Sequence, residues 1–274
     1  MKPRSFDYVR VKSLAEAVIA LARHGADAKI IAGGQSLVPL LNMRMASPAI
    51  LVDIGALAEL KGISFAGGWL KIGALVRQAD AERSAEIAQH APLIAKALPH
   101  IGHVAIRNRG TIGGSIALAD PAAELPACLL ALGGEVEITG AKGSRTVAAG
   151  DFFKDLYETA LGPGDVLTAI RIPAPANNMR VGFAELARRH GDFAMAGLAA
   201  CRDGNGARLA FFGVGSTPTR ARQAETALAA GALEEAVAAL DHDLDPSDDI
   251  HSSGAVKRHL AGVLLRRVAA ELFN

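Results

Sequence analysis

Two glycine pairs, far apart in the chain, constrain most strongly how this sequence can fold. Gly33-Gly34 follows the apolar run Lys29 to Ala32, which is typical of a buried strand, and apolar residues at helical spacing resume at Leu37. Adjacent glycines take positive φ without a Cβ clash, so successive N–H groups can point into one concavity. We therefore predict a turn that holds a phosphate, to which Ser36 adds a hydroxyl donor or a helix cap.

The second pair, Gly113-Gly114, lies between the hydroxyl residues Thr111 and Ser115. An ordinary tight turn explains a single Gly-Gly pair without any ligand. Two such turns, each with hydroxyl groups beside it, favour a shared diphosphate ligand held between them.

Two carboxylates follow the second glycine turn. Asp120 either accepts hydrogen bonds from ribose or ribityl hydroxyls or caps a helix opened by Pro121, and the sequence leaves both roles open. Glu124, one turn further on, is the better ligand candidate. The pair is also a conceivable general acid and base.

The composition of the chain limits which kinds of partner it can bind. It has 274 residues, 50% of them hydrophobic, with 29 basic against 28 acidic side chains and a net charge of +1, which gives no electrostatic case for nucleic acid. The N-terminus lacks an apolar signal segment and no apolar run is long enough to span a bilayer, so we expect a cytoplasmic protein with no membrane span. Its 2 cysteines cannot supply the four thiolates of an iron–sulfur cluster.

The sequence lacks the motifs of several common types of functional site. No stretch fits a Walker A loop or a Rossmann GxGxxG fingerprint, and neither Ser36 nor Ser115 lies in a GxSxG elbow. His100 and His103 have no third ligand nearby, so no metal site is predicted. We predict no catalytic side chain. What remains is a non-Rossmann diphosphate cradle.

The strand and helix pattern divides the chain. Residues 1–60 read as a small α/β lobe, with a helix from Leu14 to Arg23 capped by Ser13, and residues 61–175 read as a mainly antiparallel lobe. Pro173 and Pro175 form a stiff connector, and residues 178–274 read as a three-stranded meander with helices. Predicted helices cover 77–90, 91–99, 121–132, 219–230, 233–240 and 255–272, the last with Val256 on its apolar stripe and Lys257, Arg258, Arg266 and Arg267 on a solvated face.

Five segments then point to a family. AGGQSLVPLLNMR, IRNRGTIGGSIALADPAAELP, ELARRHGDFAMAG, GVGSTPTRARQAE and VKRHLAGVLLRR closely resemble the FAD-binding medium subunit of the molybdenum hydroxylases. That group includes aerobic carbon monoxide dehydrogenase and relatives of xanthine dehydrogenase. The resemblance covers nearly the whole chain, and the two glycine motifs in this order are highly specific.

The resemblance implies an α+β architecture. A two-lobed FAD-binding fold of the vanillyl-alcohol-oxidase (PCMH) type would precede a C-terminal domain with a three-stranded antiparallel sheet and a helix bundle. FAD would lie between the lobes. The residues expected to bind it are Ala32, Gly33, Gly34, Gln35, Ser36, Leu37, Ile101, Thr111, Gly113, Gly114, Ser115, Ala117, Asp120, Glu124, Leu161, Asp192 and Phe193. Phe193 stands where relatives often carry Tyr, and Ala187 where some carry Lys, which leaves the flavin potential and the acceptor open.

The resemblance also implies a function. The chain would be the electron-transfer subunit of an oxidoreductase complex, passing electrons from the two-iron two-sulfur clusters of a small subunit through FAD to an external acceptor. A large subunit would hold the molybdopterin, and the complex would be a dimer of heterotrimers. Two alternatives remain: a free-standing FAD-dependent oxidase or reductase of the same fold, and a non-catalytic nucleotide-binding module.

Overall fold

The computed structural model describes residues 2–273. The first lobe contains a three-stranded parallel sheet in the order β1-β3-β2, covered by a helix. Its elements are β1 (Asp7–Arg10), α1 (Leu14–His24), β2 (Ala28–Ile31), α2 (Leu37–Asn42) and β3 (Ile50–Asp53). The Ser13 side chain accepts a hydrogen bond from the Glu16 N–H, which confirms the predicted helix cap. The strand and the helix predicted on either side of Gly33-Gly34 are both present, as β2 and α2.

The second lobe is built on a five-stranded antiparallel sheet in the order β4-β5-β10-β6-β7. All five strands overlap short segments that alternation and glycine turns predict, at residues 63–65, 69–72, 135–139, 145–147 and 166–172. The elements of this lobe are β4 (Ile63–Ala66), β5 (Trp69–Gly73), α3 (Gln78–Glu82), α4 (Ala85–His90), α5 (Pro92–Ala97), α6 (Val104–Arg107), α7 (Ile112–Leu118), α8 (Glu124–Ala131), β6 (Glu135–Gly140), β7 (Gly143–Ala148), α9 (Ala149–Phe152), β8 (Phe153–Asp155), β9 (Glu158–Thr159) and β10 (Val166–Pro173).

The helices of this lobe are shorter than predicted. The helix expected over 77–90 is two helices, because Ser84 leaves the helical conformation and caps α4 by accepting from the Ile87 N–H. Pro92 then opens α5 at a position where the missing N–H has no cost. The helix expected over 121–132 begins only at Glu124. The start of α4 is thus set by a capping side chain and the start of α5 by a proline, whereas α8 begins without a side-chain cap.

The C-terminal part has four strands instead of three. β11 (Arg180–Ala187), β12 (Ala194–Asp203) and β13 (Gly206–Phe212) form the predicted meander, and the short β14 (Thr219–Arg220) adds to its edge. The helix predicted from residue 219 therefore starts at Arg222. The helices are α10 (Arg222–Ala229), α11 (Leu233–Asp243) and α12 (Gly254–Phe273).

Two residues of α12 face opposite to the prediction. Val256 is exposed, and Lys257 is buried, with its ammonium group 2.7 Å from the Asp249 carboxylate. The preceding loop packs on the side of the first turn that carries Gly254 and Lys257, and it leaves the side of Val256 open to solvent. A long cationic side chain is buried there because an acidic partner meets its head group.

One core joins the second lobe to the C-terminal sheet. Phe183 of β11 and Phe212 of β13 belong to the same buried cluster as the strands and helices of the second lobe, and their rings stack with centroids 5.8 Å apart. A second cluster lies between the C-terminal sheet and its helices, and a third fills the first lobe. The C-terminal sheet is thus packed directly behind α5 and α8, which carry one wall of the candidate site.

Candidate functional site

The two glycine segments meet in the structure. A Cβ atom on Gly33 would lie 2.2 Å from the carbonyl oxygen of Arg109 and 3.0 Å from the Cα of Gly110. No side chain fits in that space, because non-bonded carbon and oxygen atoms do not approach so closely. The first lobe therefore touches the second through bare backbone, one residue before Thr111.

The first glycine segment presents unused N–H groups. Within residues 2–273, none of the backbone N–H groups from Gly33 to Leu37 donates a hydrogen bond. Gly34 has a φ of +74°, which only glycine adopts without strain, and the Gln35 side chain braces the turn by donating to the Gly33 carbonyl at 3.1 Å. Ser36 makes no capping hydrogen bond, so its hydroxyl is not used to start α2. A row of unused donors next to a helix start is suited to an anionic oxygen ligand.

The second glycine segment is not a turn but the first turn of helix α7. Thr111 caps this helix by accepting from the Gly114 N–H at 3.1 Å. The Ile112 and Gly113 N–H groups donate to carbonyls of the strand-end segment at residues 74–76, and Gly113 is required there because a Cβ would lie 2.5 Å from that of Ala74. These amides are already satisfied, so the two glycine segments play different roles.

Three cations that sequence reasoning missed surround the junction. Lys61, Arg77 and Arg109 line a cavity of about 80 Å³ together with Ala32, Gly33, Gly55, Leu75 and Thr111. None of the three cations forms an ion pair with a described residue. Cations without acidic partners beside unused N–H groups favour binding of an anion at this junction. Only Arg109 had a signal in the sequence, since it directly precedes the second glycine segment.

Asp120 does not cap a helix. Its Oδ1 accepts from the Ala122 N–H at 2.9 Å in a local turn, and its Oδ2 accepts from the Tyr157 hydroxyl at 3.1 Å. The capping alternative is therefore wrong, because α8 starts only after Ala123. Burial and the neighbouring Asp120 raise the pKa of Tyr157 to about 12, so the phenol keeps its proton. Asp120 is held in a fixed position with one acceptor capacity to spare on each oxygen.

Glu124, the first residue of α8, is a buried carboxyl group. It is 8% exposed, and burial, aided by the nearby Glu185 and Asp120, raises its pKa to about 8. A neutral carboxyl both donates and accepts hydrogen bonds, which suits a hydroxyl group better than a carboxylate does. His100 lies close by, with its Nδ1 atom 3.5 Å from Glu185 Oε1, and this contact raises the pKa of His100.

Three of the predicted FAD-binding residues, Ile101, Asp192 and Phe193, lie on two loops that pack together. Arg107 is buried and its Nη1 donates to the carbonyls of Ile101 and Gly102 at 3.1 and 3.3 Å, which orders the loop that carries Ile101. Gly191, in the loop that carries Asp192 and Phe193, packs against this loop. A Cβ on Gly191 would lie 2.8 Å from His103 Cε1.

The remaining predicted residues have diverse environments. Phe193 is 71% exposed and Asp192 is exposed, so both side chains are open to a ligand. Gly114, Ser115, Ala117 and Leu118 form the accessible side of α7. Leu161 is half-buried, and its N–H donates to the Thr159 hydroxyl at 3.3 Å.

The fold and the residues around the junction indicate a class of nucleotide-binding protein. A cationic junction with unused N–H groups, carboxyl groups further along and an exposed aromatic ring can bind an extended dinucleotide outside the Rossmann pattern. Within the described residues, no group of three or more His, Cys, Asp or Glu side chains is arranged to hold a metal ion. No helix in the described part of the chain is both long and apolar enough to cross a membrane.

Comparisons with known proteins identify the family. Residues 4–175 match the FAD binding domain in molybdopterin dehydrogenase, and residues 182–272 match the CO dehydrogenase flavoprotein C-terminal domain. The chain belongs to this family, its cofactor is FAD, and it is the flavin subunit of a molybdenum hydroxylase-type oxidoreductase. The expected two-lobed fold class is confirmed.

Individual relatives match over nearly their full length. The 6-hydroxypseudooxynicotine dehydrogenase complex subunit alpha of Paenarthrobacter nicotinovorans is 40% identical, with 100% of this chain and 96% of that protein aligned. The carbon monoxide dehydrogenase medium chain of Afipia carboxidovorans is 39% identical over 97% of this chain and 96% of its own. A solved carbon monoxide dehydrogenase from Hydrogenophaga pseudoflava superposes with a TM-score of 0.96 at 36% identity, covering 100% of this chain and 99% of that one.

Substitution of Gly33 tests the junction between the lobes. We expect Gly33→Ala to lower the free energy of unfolding by about 1–3 kcal/mol, because the new methyl group overlaps the Arg109 carbonyl and forces the lobes apart. Urea unfolding followed by circular dichroism measures this. Gly150→Ala is the matched control, since a Cβ there meets nothing within 4 Å. Equal unfolding midpoints for both variants would contradict the close contact.

Burial of Glu124 makes the free energy of unfolding depend on pH. Its pKa is raised from 4.5 to about 8, so between these values the folded chain holds a proton that the unfolded chain has lost, and stability falls as pH rises. His100 acts in the same direction, because its raised pKa stabilises the fold most at low pH. We expect Glu124→Gln to flatten the decline of unfolding free energy between about pH 5 and about pH 8. Denaturant titrations of the FAD-free protein at several pH values check this, and an unchanged slope would refute it.

Proposed function

We propose that this chain binds FAD between its two lobes, at the junction described above, and passes electrons from iron–sulfur clusters of a partner subunit to an external acceptor. The observation that carries the binding mode is the junction of the glycine segments, where unused N–H groups face unpaired cations. The proposed FAD-binding residues are those expected from the sequence, joined by Lys61, Arg77 and Arg109 at the diphosphate.

Different residues of this chain would bind different parts of the cofactor. The N–H groups of Gly33 to Leu37 and the three cations balance the diphosphate charge. Asp120 accepts from ribose or ribityl hydroxyls, and Glu124, which keeps its proton near neutral pH, donates to them as well as accepting. The exposed side chain of Phe193 would contact the isoalloxazine ring. FAD, when bound, supplies both one-electron and two-electron redox chemistry, and the protein orients it and tunes its potential.

The partners follow from the family and from the composition of the chain. The similar proteins are named as medium chains or subunits of dehydrogenase complexes. The chain has 2 cysteines, both buried, so a cluster that feeds the flavin must be bound by another subunit. We propose a small iron–sulfur subunit, a large molybdopterin subunit, assembly as a dimer of heterotrimers and a cytoplasmic location. The proposed boundary between the two domains lies between residues 175 and 178.

Substitution of Arg109 tests whether this residue contacts the diphosphate of FAD. We expect Arg109→Gln to weaken FAD binding by about 10-fold to 100-fold, because a charge-assisted contact to phosphate is lost while the backbone junction with Gly33 stays intact. Fluorescence titration of the FAD-free protein with FAD measures the dissociation constant. Arg83→Gln is the matched control, since Arg83 is an exposed arginine paired with Asp80. Equal affinity for both variants would remove Arg109 from the site.

The electron route needs the assembled complex. We expect the tagged chain to co-purify with a small iron–sulfur subunit and a large molybdenum subunit, and its FAD to be reduced by substrate only in that complex. Metal analysis and anaerobic absorbance spectra check both points. Steady-state turnover by the isolated chain would favour a free-standing oxidase or reductase, and a colourless chain that takes up no FAD would favour a non-catalytic module.

A further inference from the structure

Two unfavourable backbone conformations meet at the carboxyl group of Asp120. Among residues 2–273, four residues other than glycine have a positive φ, and two of them are Ala119, at +52°, and Tyr157, at +56°. A Cβ atom makes this region unfavourable, so a bulky residue such as tyrosine is rare there. Ala119 directly precedes Asp120, and the Tyr157 hydroxyl donates to Asp120 Oδ2 at 3.1 Å. Both positions therefore help to determine where this one carboxylate lies.

The main chain on either side of Asp120 is fixed. Ala119 ends α7 in the left-handed conformation, and its N–H donates to the Ser115 carbonyl. Pro121 disfavours the helical conformation for the residue before it, and its own carbonyl accepts from the Gly213 N–H at 2.8 Å. The freedom that remains at Asp120 is rotation of its side chain.

The two oxygens of the Asp120 carboxylate are held by two different donors. Oδ1 accepts from the Ala122 N–H at 2.9 Å within the local turn, and Oδ2 accepts from the Tyr157 hydroxyl. Each oxygen keeps a lone pair for a further donor, and Asp120 is only half-buried, so a ligand can reach it. If the Tyr157 hydroxyl were removed, the bond to Ala122 would be the remaining one among the described residues, and the carboxylate could rotate away.

Tyr157 reaches Asp120 from the tip of a short hairpin. β8 and β9 pair only with each other, and Leu156 and Tyr157 form the turn between them. The base of the hairpin is anchored, because the Arg145 guanidinium donates to the Ala160 carbonyl, just after β9, at 2.9 Å. Leu156 and Tyr157 are 57% and 55% exposed, and no other hydrogen bond among the described residues links either of them to a distant segment. The bond to Asp120 is thus what holds the tip in place.

The conformation of Tyr157 is not explained by the hairpin itself. Glycine or asparagine would adopt the left-handed backbone in this turn with less strain, but neither carries a phenol hydroxyl that reaches Asp120. The hairpin leads directly to Leu161, which like Asp120 is one of the proposed FAD-binding residues. Unfavourable conformations of this kind are concentrated where a protein positions functional groups.

We propose that Tyr157 is a positioning residue of the FAD site, which fixes the Asp120 carboxylate toward the ribose or ribityl hydroxyls, and that the tip of the β8–β9 hairpin lies against the bound cofactor there. The inference rests on the proposed function and deepens it, since it adds a residue outside the set expected from the sequence. Tyr157 donates to Asp120, and Asp120 accepts from the cofactor. No covalent bond forms or breaks.

A double-mutant cycle on the full chain tests this through FAD affinity. We expect Tyr157→Phe, which keeps the ring and the backbone conformation, to weaken FAD binding by about 3-fold to 10-fold, because Asp120 loses its orientation. In an Asp120→Ala background, we expect the same substitution to weaken binding by less than about 2-fold, because the carboxylate that Tyr157 positions is gone. Fluorescence titration of the FAD-free protein gives the dissociation constants. Wild-type affinity for Tyr157→Phe, or an equal loss in both backgrounds, overturns the proposal.

The matched control is Tyr8→Phe. Tyr8 is the other tyrosine of the chain, it is 57% exposed, and its hydroxyl also donates to an aspartate, Asp53. It is not among the described residues that line the cavity at the glycine junction. We expect this variant to bind FAD within about 2-fold of the wild type, as for other surface substitutions. A loss as large as that of Tyr157→Phe would contradict a specific role of Tyr157.

Chemical modification of the wild type decides the case if the variants do not fold. Tyr8 and Tyr157 are the 2 tyrosines of the chain and are almost equally exposed, so nitration by tetranitromethane reports on both in one sample. We expect saturating FAD to slow nitration of Tyr157 several-fold and to leave that of Tyr8 unchanged, as measured by mass spectrometry of peptides. An unchanged rate at Tyr157 in protein that holds FAD overturns the proposal.

Failure of the proposed function gives different results. A wild-type chain that takes up no FAD contradicts the proposed function and this inference together. A chain that holds FAD and protects Tyr157, but whose FAD receives no electrons from partner subunits, contradicts only the proposed electron route.

Discussion

The structure depends on the contact between the Gly33 backbone and the Arg109 carbonyl. This contact presses the first lobe against the start of α7 with no side chain between them. It brings β2 and α2, which are local in sequence to one glycine pair, next to a helix more than seventy residues later in the chain. Because the glycine turn is used for this approach, its N–H groups have no partner within the described residues and remain available to a ligand. The same contact gathers Lys61, Arg77 and Arg109 around one small cavity.

Charge is distributed unevenly among the residues proposed to bind FAD. At the junction of the glycine segments lie cations without acidic partners among the described residues, whereas Glu124 is a buried carboxyl group without an ion pair there. Both arrangements destabilise the chain alone, since like charges repel and burial disfavours the charged form of Glu124. A cofactor with an anionic centre and a hydroxyl-bearing chain offsets both costs. Binding FAD is thus expected to stabilise the fold in proportion to ligand concentration over its dissociation constant.

Much of the fold was predictable from local patterns. The five strands of the second lobe follow from alternation and glycine turns, and the Ser13 cap follows from a residue type that accepts from its own helix. Predictions failed where a distant partner decided the outcome. Lys257 was predicted on a solvated face, but it is buried against Asp249. For Asp120 the sequence left a cap and a ligand role open, and the local turn with the Tyr157 hydroxyl excludes the cap.

The sequence by itself determined the two segments that form the junction, because two glycine pairs with flanking hydroxyl residues favour a shared diphosphate ligand. The family and the FAD cofactor followed from the resemblance of five segments to the medium subunits of molybdenum hydroxylases. Only the tertiary structure decided that the first glycine segment offers N–H donors while the second is consumed in starting α7. It also brought Lys61 and Arg77 to the cavity, and Tyr157 to Asp120. These residues are separated along the chain, and the spacing of residues carries no information about which charges the packed lobes leave without partners.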